Sequence, residues 1–420
     1  MTSRESRAEA YVWVWLPGET EPVVAGRLAP DEGGLRFNYG RSYLERVGQS
    51  SAAISIFEDE LPLRAGVLPL RPGLSMPGCI RDGAPDAWGR RVILNRVLGI
   101  KGAEADPVAL DELTYLLESG SDRIGALDFQ ASPTEYVGRN AKNADLAELL
   151  DSADRVEKGV PLSPELDQAL FHGSSIGGAR PKALIEDGDR KYVAKFSSTT
   201  DVYNVVKAEF VAMRLAGLAG VDAAPVRLVQ AAGRDVLLVE RFDRVRTDDG
   251  WRRRAMLSAL TLFGLDEMMA RYASYEDLAE IIRHRFTRPR ETLRELFTRL
   301  VFNVMSGNTD DHARNHAAFW DGRNLSLTPA YDICPQGRTG NEAAQAMLIT
   351  GNDRSSRLKT CLAAANAFLL SEDEARSICD GTEAAIRDNW DMVCEEGRLT
   401  AIERASLWRR QFLNPYSLEQ

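Results

Sequence analysis

The chain has 420 residues, more than one ordinary core encloses at roughly 150 residues per domain, so two or three domains are expected. At 44% apolar, 27% charged and 8% aromatic, the composition is that of a soluble globular protein and excludes disordered and collagen-like chains. Its 52 Lys and Arg against 62 Asp and Glu leave a net charge of −10, so no overall field draws in nucleic acid, though a local basic patch stays open.

Met1-Thr-Ser-Arg-Glu-Ser-Arg7 lacks the apolar run of a signal peptide. No stretch approaches the ~18–20 apolar residues that span a bilayer, so no membrane association is expected. The five cysteines, Cys79, Cys334, Cys361, Cys379 and Cys394, are odd in number, far apart and without a CxxC pair. That argues against a disulfide framework or zinc ribbon and for a reducing cytoplasm.

From Tyr11 to about Leu127 the pattern is mostly strand. Tyr11–Trp15 is β-branched and aromatic, and Leu16-Pro17-Gly18 ends it as a turn. Ala52–Phe57 is a second strand candidate. Asp86–Leu94 reads as a helix with Gly99 as its stop. Asp145–Val156 is a short connecting helix before Pro161 and Pro164, which places a soft boundary near 130–160.

Next, Lys182–Glu186 and Lys191–Phe196 flank Asp187-Gly188-Asp189, a hairpin turn. Val206, Phe210 and Met213 recur at helical spacing, with Gly217 and Gly220 as stops, and Val236–Phe242 is a buried strand leading out. After Trp251 the chain reads as helical. Ser274 caps Tyr275–His284. Leu293, Leu296, Phe297, Leu300, Val301 and Val304 form the apolar stripe of a long helix that stops at Ser306-Gly307. Cys361–Phe412 is amphipathic helix without legible chemistry. These readings give an N-terminal β-rich unit over 1–130, a second unit over 131–244 and a helical unit over 245–420.

The densest polar cluster, Asn308-Thr-Asp310-Asp311-His312-Ala-Arg314-Asn315-His316, follows the long helix. Ala317–Trp320 and Leu325–Asp332, joined by Asp321-Gly322, form a hairpin that can bring Asn315 and Asp332 together. Asp310 and Asn315 have the D-x-x-x-x-N spacing of a kinase catalytic loop. Phosphoryl transfer needs one carboxylate to accept the acceptor's hydroxyl proton, and an amide and second carboxylate to hold Mg²⁺. The spacing by itself is weak, and a polar helix-to-strand loop is the plain alternative. His312 and His316 share a face only if helical, and their segment is not H-E-x-x-H, so hydrogen-bonded structural roles are favoured over zinc.

A second cluster, Gly173-Ser-Ser175-Ile-Gly177-Gly178-Ala179-Arg180-Pro181-Lys182, matches neither a Walker A loop nor the Rossmann fingerprint. Its glycines allow backbone N–H groups to approach phosphate, and Lys182 supplies a compact charge. A flexible surface loop is the alternative. Lys195 stands where a kinase places its phosphate-clamping lysine, with Glu209 the candidate partner or else an exposed helix carboxylate. Glu240-Arg241-Phe242 is positioned as a hinge, with backbone groups for adenine and Phe242 for stacking. The Arg252–Arg254 run reads as a solvated basic face.

Glycine loop, hairpin lysine, helix, hinge strand, helices, D-x-x-x-x-N, hairpin and Asp follow in the order of kinase parts. The chain resembles the HipA family of serine/threonine-kinase toxins of HipBA toxin–antitoxin modules. The resemblance rests on Ser175–Lys182, Val239–Arg244, Asn308–Asn315 and Leu327–Asp332, and in the N-terminal stretch on Val24–Leu28, Gly83–Arg90 and Asp122–Leu127. It covers about 11 to 350. Departures are Arg180-Pro181 where some members carry Gln-Glu, Arg314 where Lys is common, and Ser174 beside Ser175.

The resemblance implies an α+β, bilobed protein-kinase-like fold using ATP and Mg²⁺. Asp310 would be the base, and Asn315 and Asp332 the metal ligands. Gly177, Gly178, Ala179, Arg180, Pro181, Lys182, Lys195, Glu240, Arg241, Phe242, His312, Asn315, Tyr331 and Asp332 would form the nucleotide site. Ser175 matches the autophosphorylated serine, whose phosphate would dismantle the loop and silence the enzyme. The family's acceptors are aminoacyl-tRNA synthetases. Its partner is a HipB-like helix-turn-helix antitoxin, through which operator DNA would chiefly be bound, given this chain's acidity. Alternatives are a kinase of the same fold acting on a small alcohol, and a non-catalytic binder of antitoxin or DNA.

Overall fold

The computed structural model of the chain describes residues 8–46, 48, 52–98, 110–139, 145–158, 160, 180–198, 201, 203–338 and 340–419. The expectations for Gly99, Ser174, Ser175, Gly177, Gly178 and Ala179 lie outside them.

Strands β1 (Ala10–Trp15), β2 (Pro22–Asp31), β3 (Gly34–Tyr39) and β4 (Leu127–Gln130) form an antiparallel sheet in the order β3-β2-β1-β4. β1 is buried along nearly its whole length, which is why its sequence is continuously apolar instead of alternating. Ala52–Phe57 is not a strand. Its backbone is satisfied by tyrosine hydroxyls: Ile54 N–H donates to Tyr43 at 3.3 Å and Ile56 N–H to Tyr39 at 3.0 Å. Its propensity is β, but these side-chain partners take the place of a ladder.

The second sheet has the order β5-β6-β8-β7, from β5 (Lys182–Asp187), β6 (Arg190–Phe196), β7 (Val226–Ala231) and β8 (Arg234–Glu240). The β5–β6 turn uses Gly188 at φ 64°, and its register sets Lys182 opposite Lys195. The Val205–Leu218 helix, capped by Asn204, packs on β7 and β8; it runs through Gly217, and Gly220, at φ 87°, follows its end. Trp88 and Val92 of the Ala87–Leu98 helix form a separate buried cluster with Ala183, Tyr192 and Ala194 of the sheet. Leu149, Leu150 and Ala153 of the Leu146–Glu157 helix join the same cluster. A helix from the N-terminal stretch is thus fastened to the second sheet.

After Trp251 the chain continues as strand, not helix. β9 (Arg244–Thr247) pairs with β10 (Gly250–Arg253), and β11 (Ala255–Ser258) pairs with the hairpin of β12 (Ala317–Trp320) and β13 (Leu325–Leu327). The Arg252–Arg254 run is a largely solvated basic face, with Arg252 and Arg254 exposed and Arg253 half-buried. Arg253 lies 3.4 Å over the Trp15 ring and Arg254 3.2 Å over Phe319, cation–π contacts that hide the apolar stems.

The remaining mass is helical. Ser274 caps Tyr275–Arg285 by accepting the Asp277 N–H at 2.9 Å. Pro289–Ser306 starts on proline, where a missing N–H costs nothing, and ends at Gly307 with φ 72°. Its stripe from Leu293 to Val304 is fully buried. The long Glu372–Glu396 helix packs on both it and Val205–Leu218. All five cysteines are buried and free, and among the described residues no helix is long and apolar enough to cross a membrane.

Candidate active site

The β5–β8 sheet, the β11–β13 sheet and the N-terminal stretch enclose a cleft of about 790 Å³. Its walls are apolar where Val193 and Val239, cross-strand partners on β6 and β8, face in beside Phe242. The polar end carries Lys195, Asn315 and Asp332.

Lys195 points from β6 between two carboxylates. Its ammonium is bridged to Glu209, buried in the Val205–Leu218 helix, and to Asp332, 137 residues away in sequence. Burial disfavours the ammonium, but Asp332 and Glu209 outweigh it and keep the charge on Lys195. Lys195 beside it, opposed only partly by burial, brings the Asp332 carboxyl down to about 2. The Asp332 backbone is left-handed, φ 58°, a conformation that Asp adopts more readily than most residues. Glu209 is therefore no exposed helix carboxylate.

The polar loop closes the other wall. It is not helical, so His312 and His316 do not share a helix face. His316 Nε2 lies 3.0 Å from Asp311, and the Tyr275 hydroxyl donates to the same carboxylate. Burial opposes the Asp311 charge, yet His316 and Tyr275 bring its carboxyl below the ordinary range. This buried trio fixes the loop. Next to it Asp310 is exposed, and Asn315 Nδ2 donates to the Asp310 carbonyl at 3.2 Å. Partial burial, and then the nearby Asp332 and Asp311 charges, hold Asp310 above an ordinary aspartate, with His312 opposing. His312 and Tyr331 both line the cleft. Tyr331 packs against Phe242 with ring centroids 5.7 Å apart, and its hydroxyl donates to the Arg314 carbonyl at 2.7 Å.

All three hinge residues line the cleft, with two of their amides engaged inside the fold. The Glu240 N–H donates to Pro225 O at 2.9 Å and the Arg241 N–H to Lys191 O at 2.8 Å, so neither amide is spare for a base. The Glu240 carboxylate accepts from Arg190 at 2.7 Å. The Arg241 guanidinium is buried, donating to Asp243 at 2.9 and 2.8 Å and to the Arg123 carbonyl at 2.7 Å. Arg180 pairs with Asp201 at 2.5 Å, and the Pro181 carbonyl accepts from Phe196 N–H at 3.1 Å; both stand outside the cleft lining, and so does the buried Lys182.

Sequence reasoning missed the network behind the hinge. Asp122 accepts from Lys191 at 2.8 Å and Arg244 at 3.0 Å, and Asp243 accepts the Gly125 N–H at 2.8 Å. These ties join the N-terminal stretch to the hinge. Asp122–Leu127 and Val239–Arg244 stood out in the sequence as stretches of the family resemblance, but nothing in either pointed to the other.

Family models meet the chain in two places: the HipA N-terminal domain matches residues 14–130 and the HipA-like C-terminal domain matches residues 174–390. A Sinorhizobium fredii protein named for a kinase, Y4mE, is 27% identical over 344 residues, 76% of each chain. The serine/threonine-protein kinase toxin HipA of Shewanella oneidensis is 25% identical over 183 residues, 38% of this chain and 42% of that one. The solved Shewanella oneidensis complex of HipA, HipB and operator DNA matches with TM-score 0.67 at 18% identity, covering 95% of this chain and 98% of that one. At that identity the match speaks for the fold, an α+β kinase-like one.

Proposed function

The chain belongs to the HipA family, and on that premise we propose that it is an ATP- and Mg²⁺-dependent protein serine/threonine kinase, the toxin of a HipBA-type module. The observation that carries the reading is Lys195 bridged at once to Glu209 and Asp332. A strand lysine, a helix carboxylate and the aspartate after the hairpin come together as phosphoryl transfer requires.

In this reading the adenine lies between Val193, Val239 and Phe242, and Lys195 and Lys182 meet the phosphates. Asp310, exposed beside the cleft, takes the proton of the acceptor hydroxyl; partial burial and the nearby Asp332 and Asp311 charges raise its proton affinity above an ordinary aspartate's, which favours it as a base. Asn315 and Asp332 are the residues that would hold Mg²⁺. One amide and one carboxylate are hard oxygen donors that leave further positions to phosphate and water, the usual way Mg²⁺ is bound. When bound, the ion neutralises charge on the β- and γ-phosphates.

We place the acceptor among aminoacyl-tRNA synthetases, the autophosphorylated residue at Ser175, and the protein in the cytoplasm. The likeness to the Shewanella HipA, described with HipB and operator DNA, supports a HipB-like helix-turn-helix antitoxin as partner. A net charge of −10 supports operator contact made mainly by that partner. The test is incubation with labelled ATP and Mg²⁺ and a panel of purified synthetases. Label on one synthetase is the expected result; label going only to small alcohols overturns the protein-kinase reading.

A further inference from the structure

Among the cleft carboxylates that the chemistry above leaves unused, one has a buried oxygen without a hydrogen-bond partner among the described residues. Asp86 precedes the Ala87–Leu98 helix in the N-terminal stretch and lines the cleft. Its Oδ1 accepts the Gly89 N–H at 3.3 Å, whereas its Oδ2 is buried and has no hydrogen-bond partner among the described residues. That oxygen lies 3.7 Å from Lys182 Nζ.

The placement is built into the fold. Trp88, two residues on, is fully buried against Ala183, Ala194 and Phe196 of the second sheet, which anchors the start of the helix over β5. Lys182 stands directly opposite Lys195 across the β5–β6 ladder, where like charges repel. Burial also disfavours the Lys182 ammonium, and Asp86 is the largest opposing influence. A buried, unsatisfied carboxylate oxygen in a native structure calls for an explanation, and here it faces a lysine whose cross-strand partner, Lys195, lines the cleft.

We propose that Asp86 is a positioning residue through which the N-terminal domain completes the nucleotide site. It holds the flexible Lys182 side chain in place, so that Lys182 and Lys195 bracket the triphosphate. The inference rests on the kinase reading and adds a second domain to it. Lys182 meets the phosphates; Asp86 acts through Lys182.

The test uses the full chain with MgATP and compares wild type, Asp86→Asn, Asp86→Glu, Lys182→Met and the double variant Asp86→Asn/Lys182→Met. Asn caps helices as well as Asp, so Asp86→Asn keeps the contact to Gly89 and the fold, which thermal unfolding checks. We expect Asp86→Asn to raise the KM for MgATP and the nucleotide Kd roughly tenfold, about 1.4 kcal/mol, with kcat little changed. Asp86→Glu restores part of the affinity. In the Lys182→Met background Asp86→Asn adds nothing further, because the two residues act as one unit. An unchanged KM, or an equal loss in the Lys182→Met background, overturns the proposal. If wild type binds and transfers phosphate while Asp86→Asn matches it, only the Asp86 role falls. If wild type binds no nucleotide, the kinase reading falls and takes this one with it.

Discussion

Lys195 holds the site's electrostatics together. It is the cation between a buried carboxylate on one element and a cleft carboxylate on another, so its removal has two separable effects. Lys195→Met leaves Glu209 buried without its ion-pair partner, a loss of about 3 kcal/mol on the scale of broken buried pairs. Under the proposed function it also removes a phosphate contact. We predict lower stability in urea unfolding and at least tenfold weaker MgATP binding by calorimetry, a tenfold change being about 1.4 kcal/mol; unchanged affinity contradicts the clamp role. The lysine was legible in the sequence because a hairpin fixes its strand and register. Its engagement of Asp332 was not, because 137 residues separate the two and the hairpin reading brought only Asn315 toward that aspartate. Asp86 was harder still: its motif was visible, but only the burial of Trp88 in another sheet's cluster places it over Lys182.

At the scale of elements, the polar loop 308–316 is held from below. Gly307 ends the Pro289–Ser306 helix at φ 72°, and a Cβ there would lie 2.8 Å from the Gln411 carbonyl oxygen. Gly307→Ala therefore meets both the left-handed penalty of about 1–2 kcal/mol and a backbone clash. The expected result is a lowered Tm with transfer reduced in step; a Tm equal to wild type contradicts this account of the cap. Behind the hinge, burial alone would raise the Asp243 carboxyl, but Arg241, Arg244 and the Gly125 N–H bring it down to about 2. A carboxyl depressed on folding adds stability above its unfolded value near 4 that disappears as pH falls toward 2, about 2 kcal/mol in all. Asp243→Asn should flatten stability against pH within that window, measured by urea unfolding at stepped pH. An unchanged slope contradicts the charge network.

Elements with a strong period were readable: the long helix from its apolar stripe, the two hairpins from their Asp-Gly turns. Ala52–Phe57 failed because its N–H groups go to Tyr39 and Tyr43, partners that propensity does not see. The strands after Trp251 failed because arginines mask a β segment, and the rings that cover them, Trp15 and Phe319, lie far away in sequence.

In the whole molecule the N-terminal stretch is fastened to the kinase-like part three times. Trp88 sits in the second sheet's cluster, Asp122 and the Arg123 carbonyl bind the hinge arginines, and Trp15 stacks under Arg253. This explains why one cleft has walls from all of these units, and why a boundary drawn at 130 divides a continuous hydrophobic core. The central claim is that Asp310, Asn315 and Asp332 converge on a single nucleotide with Asp310 as base. Its most direct measurement compares MgATP binding and phosphate transfer to protein for wild type and Asp310→Asn. Asp310 is exposed, so the variant folds and binds nucleotide as wild type does. Transfer is predicted to fall by roughly 10²–10⁴-fold, the contribution of a positioned general base. Transfer at the wild-type rate in that variant would contradict the account.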